Sequence, residues 1–266
     1  MSVYLDLTRE FNRGRLRAVL SSGQAVVLHR LAMASKDGDW ILREDEEALA
    51  HVREVLGAHG ARYRFGAPLD LRWLAGGWSA HLEFRRDRLR VRTDFVTRPP
   101  RLDEAALQDI WEEAKGDVPF LSLLDLVRVK MTDREKDWPM VGELARRLQA
   151  PRDRLLHSRS ARDLLDLARD FPALIAEVLP LRPALARLEQ GRDALEAALD
   201  AERRARMREN EERLARYETA AARWALAWPQ TEHALAGRPL AEAHAVMVQR
   251  ALAVLPFASA GDARVP

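Results

Sequence analysis

All of the strand-like segments in this sequence lie within its first 115 residues, and this uneven distribution limits the folds that the chain can adopt. Candidate strands follow one another closely at 61–66, 69–76, 79–87 and 88–97, and another covers 39–44. Beyond them, almost every segment has the apolar spacing of a helix. Strands segregated from a helical remainder predict an α+β fold, with a mixed sheet flanked by helices and followed by an all-helical part.

The sequence predicts two domains that meet near Pro151. Residues 1–150 would form the domain that contains the sheet, and residues 151–266 a helical domain. Within the helical domain, short amphipathic helices are punctuated by Pro172, Pro180 and Pro183, because proline ends or kinks a helix.

A long helix is predicted over residues 184–228, interrupted only by Gly191. Its section at 200–216 is dense in charged residues and nearly polar all round. This pattern is typical of a long projecting helix or a helical hairpin that mediates dimerisation or binds a partner. A plain bundle helix whose charged face is solvated is the alternative interpretation.

Composition excludes several kinds of site and protein. The chain has no cysteine, so a metal would have to be held by oxygen or imidazole, and no thiol can act as a nucleophile. The 43 basic and 41 acidic residues nearly cancel to +2, which does not indicate a strong nucleic-acid footprint. There is no apolar core of signal-peptide length at the start and no window apolar enough for a membrane span. We therefore expect a cytoplasmic protein with no membrane partner.

Asp37 and Asp39 stand at alternate positions at the start of a predicted strand. Aspartate is poorly tolerated in strands, and alternate residues point to the same face, so the two carboxylates would repel each other there. A bound cation would relieve that repulsion. A third aspartate, Asp94, lies alone on the later strand 88–97, on the face away from most of the apolar residues. A turn or a helix cap is the structural alternative for the "DGD" stretch.

The order of these features resembles the minimal nucleotidyltransferase fold of the polymerase-beta-like superfamily. The turn "SSGQ" at 21–24 stands before a helix, "DGDW" at 37–40 follows at the family's spacing, and "RTDFVTRP" carries Asp94. The stretch "LLDLVRVKMTDREKDWPMVGEL" at 123–144 is similar to a helical segment of stand-alone bacterial members, such as the abortive-infection-type toxin nucleotidyltransferases. The resemblance covers roughly residues 15–145.

This resemblance implies a function and a set of site residues. The function is Mg²⁺-dependent transfer of a nucleoside monophosphate from a nucleoside triphosphate to an acceptor hydroxyl, which lies on a protein or a tRNA in toxin or defence proteins. Mg²⁺ favours carboxylate and phosphate oxygens, and carboxylates are what the motif offers. The implied catalytic and metal-binding residues are Asp37, Asp39 and Asp94, and the implied nucleotide-binding residues are Ser22, Gly23, Lys130, Lys136 and Asp137.

Two departures from the family pattern favour an alternative. Gln24 replaces a glycine or serine of the turn, and Gly38 stands between the two aspartates where the family has a buried apolar residue. Glycine weakens a strand and supplies no side chain to the core. The alternative is a non-catalytic nucleotidyltransferase-like scaffold that assembles with itself or with a cognate partner through its C-terminal helices.

Overall fold

The computed structural model describes residues 2–258, which divide into two compact units. The first unit comprises the described residues of 1–121 and 213–266, and the second comprises residues 122–212. The chain thus builds part of the first unit, then the whole of the second, and then returns to the first. The predicted boundary near residue 150 falls inside the second unit.

The first unit begins with alternating helices and strands. These are α1 (Val3–Phe11), β1 (Ala18–Ser21), α2 (Ser22–Leu28), β2 (Asp37–Leu42), α3 (Glu46–Ala58), β3 (Arg62–Tyr63), α4 (Leu71–Leu74), β4 (Ala80–Arg86), β5 (Leu89–Val96) and α5 (Glu104–Glu113). The predicted strand at 69–76 is wrong, because this segment forms the short helix α4. Asp70 caps that helix by accepting a hydrogen bond from the backbone N–H of Arg72.

The second unit is helical. It contains α6 (Leu123–Lys130), a 3₁₀ turn (Glu135–Asp137), α7 (Trp138–Arg147), α8 (Pro151–His157), α9 (Ala161–Asp170), α10 (Pro172–Val178) and a 3₁₀ segment (Pro183–Gln190). The long helix α11 (Arg192–Leu235) crosses the division between the units, and α12 (Leu240–Val254) belongs to the first. Gly191, at φ +91°, separates the 3₁₀ segment from α11, so the predicted helix start at 184 is too early.

The sheet is mixed and has the order β1-β2-β5-β4-β3. Strands β2 and β5 run parallel, and the other neighbouring pairs are antiparallel. Asp87 opens the tight turn between β4 and β5 with φ +56°, a left-handed conformation that aspartate tolerates better than most residues. The α+β prediction is confirmed: a mixed sheet with flanking helices is followed by a long C-terminal helix.

One face of the sheet is covered by aromatic rings. Trp40 of β2 and Phe95 of β5 are register partners, and their rings stack with centroids 5.5 Å apart. Phe11 of α1 meets both rings edge-on, at 5.3 and 5.9 Å. Because strand side chains alternate, this apolar face turns the neighbouring residues Asp39 and Asp94 to the opposite, polar face.

The C-terminal helices complete the core of the first unit. Trp224 of α11 and Met247 of α12 are buried with the sheet residues. The indole N–H of Trp224 donates to the carbonyl of Gly66 at 2.9 Å, and that of Trp73 donates to the carbonyl of Leu255 at 3.2 Å. These contacts explain why residues 213–258 group with the sheet rather than with the preceding helices.

The long helix α11 does not project from the fold at either end. Leu195 and Leu199 lie in the core of the second unit, and Trp224 lies in the core of the first. The expectation of an arm standing in solvent is therefore wrong for both ends of the helix. Only the section near 200–216 keeps the mostly charged surface that the sequence indicates, and Asn210 is buried even there.

Candidate functional site

The strand register brings two of the three predicted aspartates together. Asp39 of β2 lies directly opposite Asp94 of β5, on adjacent parallel strands. Such strands lie about 4.8 Å apart, and paired residues point to the same face. Asp37 is two residues before Asp39 and therefore shares that face, as does Ser21 of β1, which pairs with Asp39. The polar face thus carries three carboxylates beside the start of α2.

Asp94 is held by two basic side chains. Its Oδ1 lies 2.6 Å from His81 Nδ1 and 3.2 Å from Arg64 Nη1. His81 Nε2 in turn lies 2.9 Å from the Ser79 hydroxyl. A carboxylate can only accept a hydrogen bond, so we assign the proton to Nδ1 and let Nε2 accept from Ser79. This chain of hydrogen bonds fixes the orientation of Asp94.

Asp37 is less well satisfied than Asp94. Its Oδ1 is inaccessible to solvent and accepts no hydrogen bond from any described residue, and Arg92 Nη1 stands 3.7 Å away. Both side chains are 40% exposed, so this loose ion pair contributes little to stability. A buried acceptor without a donor is unusual, and a cation is one kind of partner that would satisfy it.

Packing explains why position 38 is a glycine, which the sequence alone did not show. A Cβ at this position would overlap the indole of Trp40 and the ring of Tyr4. The Tyr4 hydroxyl donates to the carbonyl of Lys36 at 2.5 Å, which anchors the start of β2. Burial, together with the negative charge of Asp37, raises the pKa of Tyr4 above its ordinary value. The core anchor that Gly38 cannot supply thus comes from Tyr4 and Trp40.

The turn before α2 is also held by packing. A Cβ at Gly23 would overlap the Ser35 hydroxyl, so the loop before β2 requires this glycine whether or not a phosphate binds. Gln24 Nε2 donates to the carbonyls of Ser35 at 3.1 Å and Asp37 at 3.2 Å, which ties α2 to the start of β2. Ser22 has φ +50° and opens a helix of only seven residues, whose dipole favours an anion weakly.

The remaining predicted residues belong to the second unit, whereas the three aspartates belong to the first. Lys130 ends α6, and Lys136 is exposed in the 3₁₀ turn. Asp137 accepts hydrogen bonds from the Thr132 hydroxyl at 2.7 Å and from Arg134 Nε at 2.8 Å. Asp137 therefore organises the turn between α6 and α7, and the predicted part of these residues in nucleotide binding stays a prediction.

The carboxylates on the polar face suit Mg²⁺ only in part. Across residues 2–258, no group of three or more histidine, aspartate or glutamate side chains is arranged to hold a metal ion. Mg²⁺ is commonly held by only one or two protein carboxylates, with substrate phosphates and waters supplying the other ligands. The register pair of Asp39 and Asp94 and the unsatisfied Oδ1 of Asp37 suit such a site. The fit is therefore to a metal that arrives with a phosphate ligand.

Sequence reasoning missed the basic side chains around Asp94. His81 lies in β4 and Arg64 directly follows β3, and only the pairing of β3, β4 and β5 brings them to this aspartate. The available signal was the alternation in β4, where His81 and Glu83 occupy the face opposite the buried Leu82. Arg92 of β5 lies near Asp37 in the same way.

Comparisons with known proteins give little further information. No protein-family model matches the chain, and no curated protein matches it. A crystal structure of JHP933 from Helicobacter pylori is similar over 78% of this chain and 91% of that chain, with 15% sequence identity and a TM-score of 0.39. At this level the likeness carries no argument about function. None of the described helices is long and apolar enough to cross a membrane.

Proposed function

We propose that this chain is an Mg²⁺-dependent nucleotidyltransferase, which moves a nucleoside monophosphate from a nucleoside triphosphate to an acceptor hydroxyl. The observation that supports it best is the register of β2 and β5, which sets Asp39 opposite Asp94 with Asp37 on the same face. Adjacent carboxylates repel each other in an empty site and become favourable around a cation.

Each carboxylate has a role in this proposal. Asp37 and Asp39 would hold the ion, which when bound offsets the negative charge of the triphosphate. Asp94 would accept the proton of the acceptor hydroxyl while the hydroxyl oxygen bonds to the α-phosphorus and the bond to pyrophosphate breaks. His81 and Arg64 would keep Asp94 oriented for that transfer.

Other parts of the proposal rest on the resemblance. Ser22 and Gly23 would contact the triphosphate, and Lys130, Lys136 and Asp137 would take part in nucleotide binding. A protein or a tRNA would provide the acceptor hydroxyl, in a toxin or defence role in the cytoplasm. Each of these is a separate proposal. The nucleotide-binding experiment below would identify the nucleotide with which each of them can then be tested.

A second candidate is a non-catalytic scaffold that assembles through its C-terminal helices, with itself or with a cognate partner. One observation favours it: cationic side chains already stand beside Asp37 and Asp94. Arg92 is 3.7 Å from Asp37, and Arg64 is 3.2 Å from Asp94. In this candidate the arginines balance the carboxylates permanently and no metal is needed.

Nucleotide titration separates the two candidates. We would titrate ATP, CTP, GTP and UTP into the protein by calorimetry, with Mg²⁺ and with EDTA, and repeat the series on Asp39→Asn. The matched control is Asp87→Asn in the β4–β5 turn, where asparagine also tolerates a positive φ. The nucleotidyltransferase predicts that one nucleotide binds, that binding needs Mg²⁺, and that only Asp39→Asn abolishes it. Binding that survives in Asp39→Asn, or no binding at all, would favour the scaffold.

A further inference from the structure

A cavity lies beside β3, β4 and β5, toward the end of the sheet where β4 and β5 turn. Its volume is about 570 Å³, which is within the range of small-molecule sites. The lining residues are His59, Gly60, Arg62, Glu83, Phe84, Arg85 and Arg90. They include three guanidinium groups and a single carboxylate, so the wall carries an excess of positive charge.

The single carboxylate holds two of the arginines in place. The side chain of Glu83 is only 5% exposed. Its Oε1 accepts from Arg62 Nη2 at 2.7 Å, and its Oε2 accepts from Arg90 Nε at 2.7 Å. Although burial alone would raise it, these two guanidinium groups hold the pKa of Glu83 below its ordinary value. Both arginines engage Glu83 through Nε and Nη2, which leaves Nη1 of each outside this contact.

The third arginine, Arg85, has no carboxylate partner among the described residues. Arg85 lies directly opposite Arg90 in the β4–β5 register. Like charges facing each other across a strand pair are destabilising. Arg90 forms an ion pair with Glu83, whereas Arg85 makes no ion pair with any residue in the described range 2–258. An anion bound between the guanidinium groups of Arg85 and Arg90 would offset this repulsion.

We propose that this cavity is a binding site for a small ligand that carries a phosphate group. Guanidinium groups match phosphate geometry, and charge-assisted hydrogen bonds to phosphate are among the stronger ones in proteins. Phe84 and His59, whose rings stack with centroids 5.0 Å apart, also line the cavity.

Arg90 precedes Asp94 by four residues along β5, which corresponds to about 13 Å. Arg64 is the link between the two places, because it lies 3.9 Å from Glu83 and 3.2 Å from Asp94. Phosphate binding by the cavity arginines needs neither a metal nor nucleotidyl transfer, so the proposal does not rest on the proposed function.

Pyrophosphate binding in EDTA tests the proposal, because the chelator removes divalent metal from the aspartates. Calorimetric titrations would use wild type, Arg85→Glu in β4 and the matched control Arg88→Glu, which lies in the adjoining β4–β5 turn and outside the cavity lining. We expect Arg85→Glu to weaken binding at least about tenfold and Arg88→Glu to leave it within about twofold. Thermal unfolding of each variant would check that the fold is intact; Arg85→Gln serves if the reversal unfolds the protein.

Several outcomes would overturn the proposal. These are the absence of pyrophosphate binding to wild type at millimolar concentration, an equal loss in the Arg85 and Arg88 variants, and unchanged binding in Arg85→Glu. Asp39→Asn should bind pyrophosphate in EDTA as wild type does, so a failure of the nucleotidyltransferase proposal would not be mistaken for a failure here. Inorganic phosphate and AMP, titrated in the same way, would show whether a nucleoside adds affinity to the phosphate.

Discussion

At the scale of single residues, Gly38 determines whether the strand that carries Asp37 and Asp39 can lie flat against the core. Its position on the aromatic face leaves no room for a side chain, because the rings of Tyr4 and Trp40 already fill the space. Strand glycines usually weaken a sheet. Here the missing side chain allows two large aromatic residues to pack beneath the candidate site.

We expect Gly38→Ala to destabilise the protein by about 1–3 kcal/mol, because an added methyl group forces aromatic rings out of a packed core. Urea unfolding followed by tryptophan fluorescence would measure the change. Gly57→Ala is the matched control: it lies inside α3, and the nearest atom to its added Cβ is 3.8 Å away. That control should be neutral or stabilising by up to about 1 kcal/mol. Equal costs in the two variants would contradict the packing argument.

His157 links the stability of the second unit to pH. Burial, followed by the positive charges of Arg128 and Arg182, lowers its pKa to about 4. Its Nδ1 is buried and has no hydrogen-bond partner among the described residues. An unfolded chain protonates histidine near pH 6.5, whereas the folded chain resists protonation until about pH 4. Stability is therefore lost as the pH falls from about 6.5 toward 4, and above that window this group has no effect.

Replacing His157 should flatten this pH dependence. Between pH 7 and pH 5 the group accounts for a loss of about 1–2 kcal/mol, which His157→Leu removes. Urea midpoints of wild type and variant at the two pH values would measure the difference. His233→Leu, on an exposed position of α11, is the control and should keep the wild-type slope. An unchanged slope in His157→Leu would show that other groups cause the loss.

At the scale of elements, α11 is fixed in the second unit by a buried ionic cluster. Glu202 accepts from Arg182 Nη2 at 2.9 Å, and it is also paired with Arg159 at 2.5 Å. The side chain of Arg182 is 3% exposed, and its other donors reach the carbonyls of Leu155 and Ser158 at 2.8 Å. This cluster connects α11 to α8, to the residues that directly follow α8, and to Arg182 after α10.

Glu202→Ala should cost about 3 kcal/mol or more, because two buried or nearly buried guanidinium groups lose their counter-ion. Glu196→Ala on the same helix removes an exposed i, i+4 pair with Arg192 and should cost no more than about 0.5 kcal/mol. Chemical denaturation of both variants, read by far-UV circular dichroism, gives the comparison. Similar small costs would mean that water compensates the arginines after the glutamate is removed.

Elements were predicted best where their pattern is local. The pattern in 88–97 identified β5 and the face that carries Asp94. The register that joins Asp39 to Asp94, and His81 to Asp94, depends on pairing between distant segments. No local pattern encodes that pairing. The strand prediction for 69–76 was wrong because the spacing of its apolar residues fits both a strand and a helix. The cap at Asp70 favours the helix.

At the scale of the whole molecule, the chain is divided by contacts rather than by sequence order. The apolar stripe of α12 shows that this helix is buried, but it does not show which core receives it. Leu240 and Met247 join the core beneath the sheet, and the Trp78 indole donates to the carbonyl of Pro256 at 2.9 Å. A boundary drawn at residue 150 therefore separates parts that pack together.

This division predicts how fragments behave. A fragment of residues 122–212 contains the whole core of the second unit and should show helical circular dichroism with a cooperative thermal transition. A fragment of residues 1–150 lacks the C-terminal helices that cover the sheet and should be insoluble or lack near-UV circular dichroism. A well-folded 1–150 fragment would contradict the division.

The return of the chain to its first unit also has a consequence during translation. The core of the first unit cannot be completed on the ribosome until α12, which ends at Val254, has left the exit tunnel. The helices of residues 122–212 emerge earlier and contain all the contacts of their own core. At elongation rates of about 5–20 residues per second, the nascent sheet waits roughly 8–30 seconds without the part of its core that α11 and α12 supply. The polypeptide thus passes through a stage in which a later-made part is finished before an earlier-made one, and chaperones would meet it at that stage.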